Sequence, residues 1–136
     1  MIIMAVDYGD ARTGLAVCDR MEILASPAGV INESYEPKVV AAVAEEVEKH
    51  KAERIVVGLP RNMDGSEGFR AEKCTRFAEL LSAATGVETV MYDERLTTVW
   101  AHRTLSDNNV RGKKRKAVVD AVSAVVILEG YLSSKK

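Results

Sequence analysis

Apolar positions in this chain follow two periods, and the point where one gives way to the other sets the architecture. Ile2 to Val6 is an unbroken apolar run that stops at Asp7-Tyr8-Gly9. A short run without polar alternation suits a strand buried on both faces. Gly9 and Gly14 bracket a turn, and Thr13 to Cys18 reads as a second strand. Ile23 to Ile31, interrupted by Pro27, reads as a third, placed at a sheet edge because proline cannot donate to a ladder. Short connections make these three strands antiparallel neighbours. From Pro37 the period becomes helical, with Val39, Val40, Val43 and Val47 recurring through to His50. Arg54 to Val57 is another short buried strand, closed by Gly58-Leu59-Pro60, and Asn62-Met63-Asp64-Gly65 is turn chemistry. Phe69, Lys73, Phe77, Leu80, Leu81 and Ala84 mark a second helix stopped by Gly86. Val87 to Tyr92 is a fifth strand ending at Asp93-Glu94-Arg95. Thr97 or Thr98 can cap a short helix reaching Leu105. Asp107 to Gly112 reads as loop, and a last helix runs from about Arg115 to Leu132.

The order β-β-β-α-β-α-β-α-α predicts an α/β fold with a five-stranded mixed sheet. Three antiparallel strands come first, then two parallel strands, with helices on both faces. Sites in such sheets gather at the carboxyl ends of the central strands. A length of 136 residues fits one domain spanning 1–136 with one core.

Composition narrows the classes. The chain is 47% hydrophobic and 29% charged, as a water-soluble globular protein should be. A net charge of −1 argues against a uniformly basic nucleic-acid protein but leaves room for a local basic patch. Cys18 and Cys74 have neither metal-type nor redox-type spacing, so free thiols in a reducing cytoplasm are expected. The N-terminal apolar run is too short for a signal peptide or a membrane span.

One charge breaks the apolar pattern of the last helix. Asp120 is the only charged residue between Ala117 and Leu128, and a lone carboxylate in a dry helix is costly unless something pairs with it. Its helical neighbours include Ala117, Ser123 and Ala124, small enough for close approach to a sheet. Asp7 ends the first strand and Glu94 follows the fifth, so three carboxylates can meet at one sheet edge. They repel one another unless a cation intervenes. Oxygen ligands without histidine or cysteine select Mg²⁺ or Mn²⁺ over Zn²⁺. Acids sharing such ions suit in-line hydrolysis of a phosphodiester. Blander roles stand beside this one: Asp7 as acceptor for turn amides, Glu94 as a surface ion-pair partner, Asp120 paired with Lys116 or Arg12.

Taken together, V-D-Y-G-D-A-R-T-G-L-A at 6–16, I-V-V-G-L-P-R-N-M-D-G at 55–65, Y-D-E-R-L-T-T at 92–98 and V-D-A at 119–121 resemble the YqgF family, also called RuvX. That family is similar to the RuvC Holliday-junction resolvases. The resemblance covers essentially the whole chain. It implies a ribonuclease H-like fold, a cytoplasmic bacterial nuclease, and a role in maturing the 5′ end of precursor 16S ribosomal RNA. Carried over residue by residue, it makes Asp7, Glu94 and Asp120 the catalytic and metal-binding acids. Resolvase relatives carry an acid at the end of the fourth strand, where this chain has Gly58-Leu59-Pro60. Glu94 would take its place, with Asp93 as the competing candidate.

Arg111, Lys113, Lys114, Arg115 and Lys116 form the one dense cationic stretch, directly before the Asp120 segment. It suits salt-sensitive, sequence-blind phosphate contacts, or a solvated loop. Arg12 beside Asp7 and Arg95 beside Glu94 can steady a phosphate, and Asn62 can shape a substrate groove. Tyr8 and Tyr92 flank two of the acids, as base-stacking platforms or as core. The partner expected is nucleic acid, precursor ribosomal RNA before branched DNA, with no membrane and either a monomer or a homodimer. Three other functions share these motifs. One is an actin-like or sugar-kinase ATPase, which closes nucleotide between two such domains. Another is a silent nucleic-acid-binding module. The third is a DNA junction resolvase, whose symmetric cuts need a two-fold dimer.

Overall fold

The computed structural model describes residues 1–59, 69–93 and 112–134. Side chains are described from residue 70 onward in the second helix and from 122 onward in the last. The strands are β1 (Ile3–Tyr8), β2 (Thr13–Cys18), β3 (Ala25–Ile31), β4 (Arg54–Leu59) and β5 (Glu88–Asp93). The helices are α1 (Glu36–His50), α2 (Phe69–Thr85) and α3 (Gly112–Ser134). The short helix expected between Thr97 or Thr98 and Leu105 lies outside the described residues.

The strands form one sheet in the order β3-β2-β1-β4-β5. β1 pairs antiparallel with β2, and β2 with β3. β1 pairs parallel with β4, and β4 with β5. The mixed sheet expected from the pattern is therefore the one observed, and the carboxyl ends of β1, β4 and β5 share one edge.

Alternation along β1 divides the interior between two faces. Met4, Val6 and Tyr8 pack with Val39, Val43 and Val47 of α1 and with Cys74, Phe77 and Leu81 of α2. Ile3 and Ala5 pack with Ala124, Ile127, Leu128 and Leu132 of α3. Most of these side chains are completely removed from water, and each large one contributes about 1.5–3 kcal/mol. Both faces of β1 are covered, so its sequence shows no polar alternation before Asp7. The Arg54 guanidinium also donates to the Tyr131 hydroxyl at 2.9 Å, tying α3 to β4.

Three boundaries differ from the sequence pattern. β3 begins at Ala25 rather than Ile23, because residues 19–24 form a turn. Asp19 accepts the Ile23 amide at 2.9 Å, Glu22 has φ 58°, and Ile23 stays 73% exposed. β4 runs on through Gly58 and Leu59, which pair with Tyr92 and Asp93 of β5. A glycine inside a strand need not end it when the neighbouring strand supplies the ladder. α3 begins at Gly112 rather than near Arg115, so Lys113 and Lys114 belong to its first turn and not to a loop. At the far edge, β3 contains Pro27 and Gly29 (φ 131°), and its register with β2 shifts between Leu15 and Ala16.

Candidate active site

Asp7 is half-buried on β1, one residue from its carboxyl end. Its cross-strand partner in β2 is Gly14. On the other side, Val6 pairs with Val57, and one further step along the parallel ladder brings Asp7 opposite Gly58. Gly58 in turn pairs with Tyr92. The row across the sheet is thus Gly14, Asp7, Gly58, Tyr92. Residues in one row project to the same face, and Asp7 alternates with Tyr8 onto the face of Ile3 and Ala5, the face that α3 covers. Asp7 is thus flanked in its row by two glycines, both buried. Asp7 is the one carboxylate of this row.

α3 carries Asp120 four residues, about one turn, before the buried Ala124. Asp93 pairs with Leu59, one row beyond Tyr92, so alternation sets it on the face opposite Asp7. Glu94, Arg95, Asn62 and Arg111 lie outside the described residues. Lys113, Lys114, Arg115, Lys116 and Asp120 are placed on α3 by backbone only. Among the described residues no group of three His, Cys, Asp or Glu gathers as a metal site, since Asp7 alone of the three expected ligands has a described side chain. Arg12 is half-buried in the turn between β1 and β2.

That turn is tightly made. A Cβ on Gly9 would run into the Arg12 carbonyl, so glycine is required there. Arg70, in the first turn of α2, reaches across to both sides of Gly9. Its Nη2 donates to the Tyr8 carbonyl at 2.8 Å and its Nη1 to Asp10 Oδ1 at 2.6 Å. Lys73 Nζ donates to the same Asp10 oxygen at 3.1 Å. The Lys73 hydrogen bond, then the Arg70 charge, hold the Asp10 carboxyl below its ordinary range. Sequence reasoning passed over this cluster because its partners lie 60 or more residues apart. The available signal was an acid in the glycine turn and two cations spaced i, i+3 at the start of a later helix.

Tyr8 is core and not a base-stacking platform. It is 4% exposed, and its ring stacks on Phe77 with centroids 4.0 Å apart and planes 9° from parallel. Its hydroxyl donates to Glu36 Oε2 at 3.3 Å. Burial, then the Glu36 charge, push its pKa above the usual tyrosine value. Tyr92 is half-buried and packs against Gly130 of α3.

A family model described as RuvX, Holliday junction resolvase, matches residues 1–134. A Bacillus cytotoxicus protein is 42% identical over 137 residues, covering 99% of this chain and 100% of its own. One from Halothermothrix orenii is 41% identical over 133 residues, covering 98% and 95%. Both bear names that propose a pre-16S rRNA nuclease. Among solved structures, T. thermophilus RuvC in complex with a Holliday junction substrate matches with a TM-score of 0.64 at 15% identity. The match covers 99% of this chain and 95% of that one, and is a likeness of fold alone. The fold is accordingly ribonuclease H-like. With a family model that spans residues 1–134 and relatives about 40% identical over nearly the whole length, the chain belongs to the RuvX family.

Proposed function

We propose that this protein is a metal-dependent endonuclease that hydrolyses phosphodiester bonds in maturing the 5′ end of precursor 16S ribosomal RNA in the cytoplasm. The observation that carries the reading is Asp7. It is a half-buried carboxylate at the carboxyl edge of the central strand, between Gly14 and Gly58, on the face where α3 packs. Relatives across the full length that are named for this activity support it. Asp7, Glu94 and Asp120 would hold Mg²⁺ or Mn²⁺. The opposite-facing row of Asp93 favours Glu94 as the third ligand. When bound, such ions supply an activated water and charge for the leaving oxygen. The chain itself contributes the fixed acids and the cations that grip the strand: Arg12 and Arg95 at the scissile phosphate, and Arg111, Lys113, Lys114, Arg115 and Lys116 along the backbone. Asn62 borders the groove. None of the protein's own groups need act as nucleophile.

The test is a cleavage assay with Mn²⁺, offering a ribosomal precursor RNA, a four-way DNA junction and ATP in parallel. Cleavage of the RNA near its 5′ end is expected, and Asp120→Asn should abolish it. Undiminished turnover in Asp120→Asn removes that acid from the mechanism. The family description favours a second reading, DNA junction resolution, and preferential cutting of the junction would establish it. Hydrolysis of ATP alone would replace both with nucleotide chemistry.

A further inference from the structure

Arg70, Lys73 and Asp10 form a compact charged group on the side of the sheet opposite α3, at the same edge as Asp7. The Arg70 guanidinium is fixed before any ligand arrives, because one of its amines is bonded to the carbonyl of Tyr8, the residue that follows Asp7. Lys73 stands one helical turn further along α2. Both cations converge on a single oxygen of Asp10, whose side chain is 68% exposed, while their own are 41% and 37% exposed. Pairs this exposed are held weakly and are screened by salt. A carboxylate in such a place can be exchanged for another oxyanion of equal charge at little cost. A phosphodiester carries the same single charge, and an arginine fork with a lysine beside it is the usual donor set for one.

We propose that Arg70 and Lys73 are a binding point for a backbone phosphate of the nucleic-acid substrate, which Asp10 occupies as a resident anion until the strand arrives. The proposal rests on the nuclease reading and extends it. The strand is gripped at the sheet edge from the α2 layer. Because Arg70 also holds the end of β1, a bound phosphate there would sit close along the chain to the bond presented to Asp7. Asp10 then sets the affinity by competition, and the contact is blind to base sequence.

The experiment measures binding of a single-stranded RNA oligonucleotide by fluorescence anisotropy, in EDTA so that nothing is cut, over a salt series. Folding of each variant is checked by thermal melting. Arg70 is left alone because it also anchors Tyr8. Asp10→Asn is expected to tighten binding, and Lys73→Gln to weaken it, each by about threefold to tenfold at low salt. Lys73→Gln should also flatten the log–log salt slope by about 0.7, the loss of one single-strand phosphate contact. Two results overturn the proposal: Asp10→Asn binding no tighter than the parent, or Lys73→Gln keeping the parent's slope. Either would leave the cluster as a latch on the turn. If the parent cleaves precursor RNA while these variants match it in binding, only this proposal falls. If the parent neither binds nor cleaves RNA, the nuclease reading falls with it.

Discussion

At the scale of single residues, the informative groups are those whose chemistry is set by a distant neighbour. Asp7 could be read from the sequence, because an acid closing an apolar run stands out. The Tyr8 environment could not, since Glu36 and Phe77 arrive from two helices. Its consequence is measurable in alkali. The folded phenol has a raised pKa, chiefly through burial, so the unfolded chain ionises first. Stability is intact below about pH 10 and falls as the pH climbs from there through the folded value. Tyr8→Phe keeps the ring against Phe77 but removes this loss. Circular dichroism melts between about pH 9 and 11 should show a smaller fall in Tm for the variant than for the parent. Near neutrality the variant should be less stable by about 0.5–1.5 kcal/mol, for the lost bond to Glu36. Parallel curves across the alkaline range would take Tyr8 out of the titration. Asp10 has the opposite sign. Its depressed carboxyl favours the fold above the ordinary value of 3.8 and ceases to do so as the pH drops through the folded one.

At the scale of elements, α3 matters most, since it covers one face and bears Asp120. Its start lies earlier than the pattern predicts because Gly112, Lys113 and Lys114 carry no apolar periodicity. Cations in a first turn oppose the helix dipole, and only the long apolar stretch from Ala117 onward secures the helix. Gly130 is a different anomaly, a mid-helix glycine with no unusual φ to require it. A Cβ there would lie 2.5 Å from the Tyr92 hydroxyl and 2.9 Å from its ring carbon. Gly130→Ala gains about 1 kcal/mol in helix propensity but overpacks the contact, at about 1–3 kcal/mol. We expect a net loss of about 1 kcal/mol in urea denaturation, recovered when Tyr92→Leu is added. A stabilised single variant would show that the tyrosine ring yields. The sequence offered the glycine as an oddity but not its partner, since a contact between β5 and α3 is set by how the helix crosses the sheet.

At the scale of the molecule, the topology was legible because each strand is short, apolar and bounded by glycine, proline or charge. Short connections made β1, β2 and β3 antiparallel neighbours and helical crossovers made the rest parallel, whereas the order that sets β4 between β1 and β5 comes from the structure. The candidate site at the carboxyl edge was half legible. Motif acids could be named from sequence, but the glycine row around Asp7 emerges only from strand register. If three acids share an edge, metal should stabilise the whole fold. At a free Mn²⁺ concentration of about 100 times its Kd the gain is about 2.7 kcal/mol, or roughly several degrees in Tm for a chain of this size. Differential scanning fluorimetry should show that rise in the parent and none in Asp7→Asn. Without metal, Asp120→Asn should melt no lower than the parent, because carboxylate repulsion has been relieved. A fall in its metal-free Tm would mean that Asp120 supports the fold directly.

The outer margin of β3 has its own consequence. Pro27 withholds a donor, and the shifted register and Gly29 bend the strand away from a flat ladder. Another polypeptide cannot readily lengthen the sheet on that side. Among the described strands, copies that joined by strand addition would have β5 alone to offer. Growth through that one edge closes after a single pairing, so self-association by this route yields a bounded twofold species.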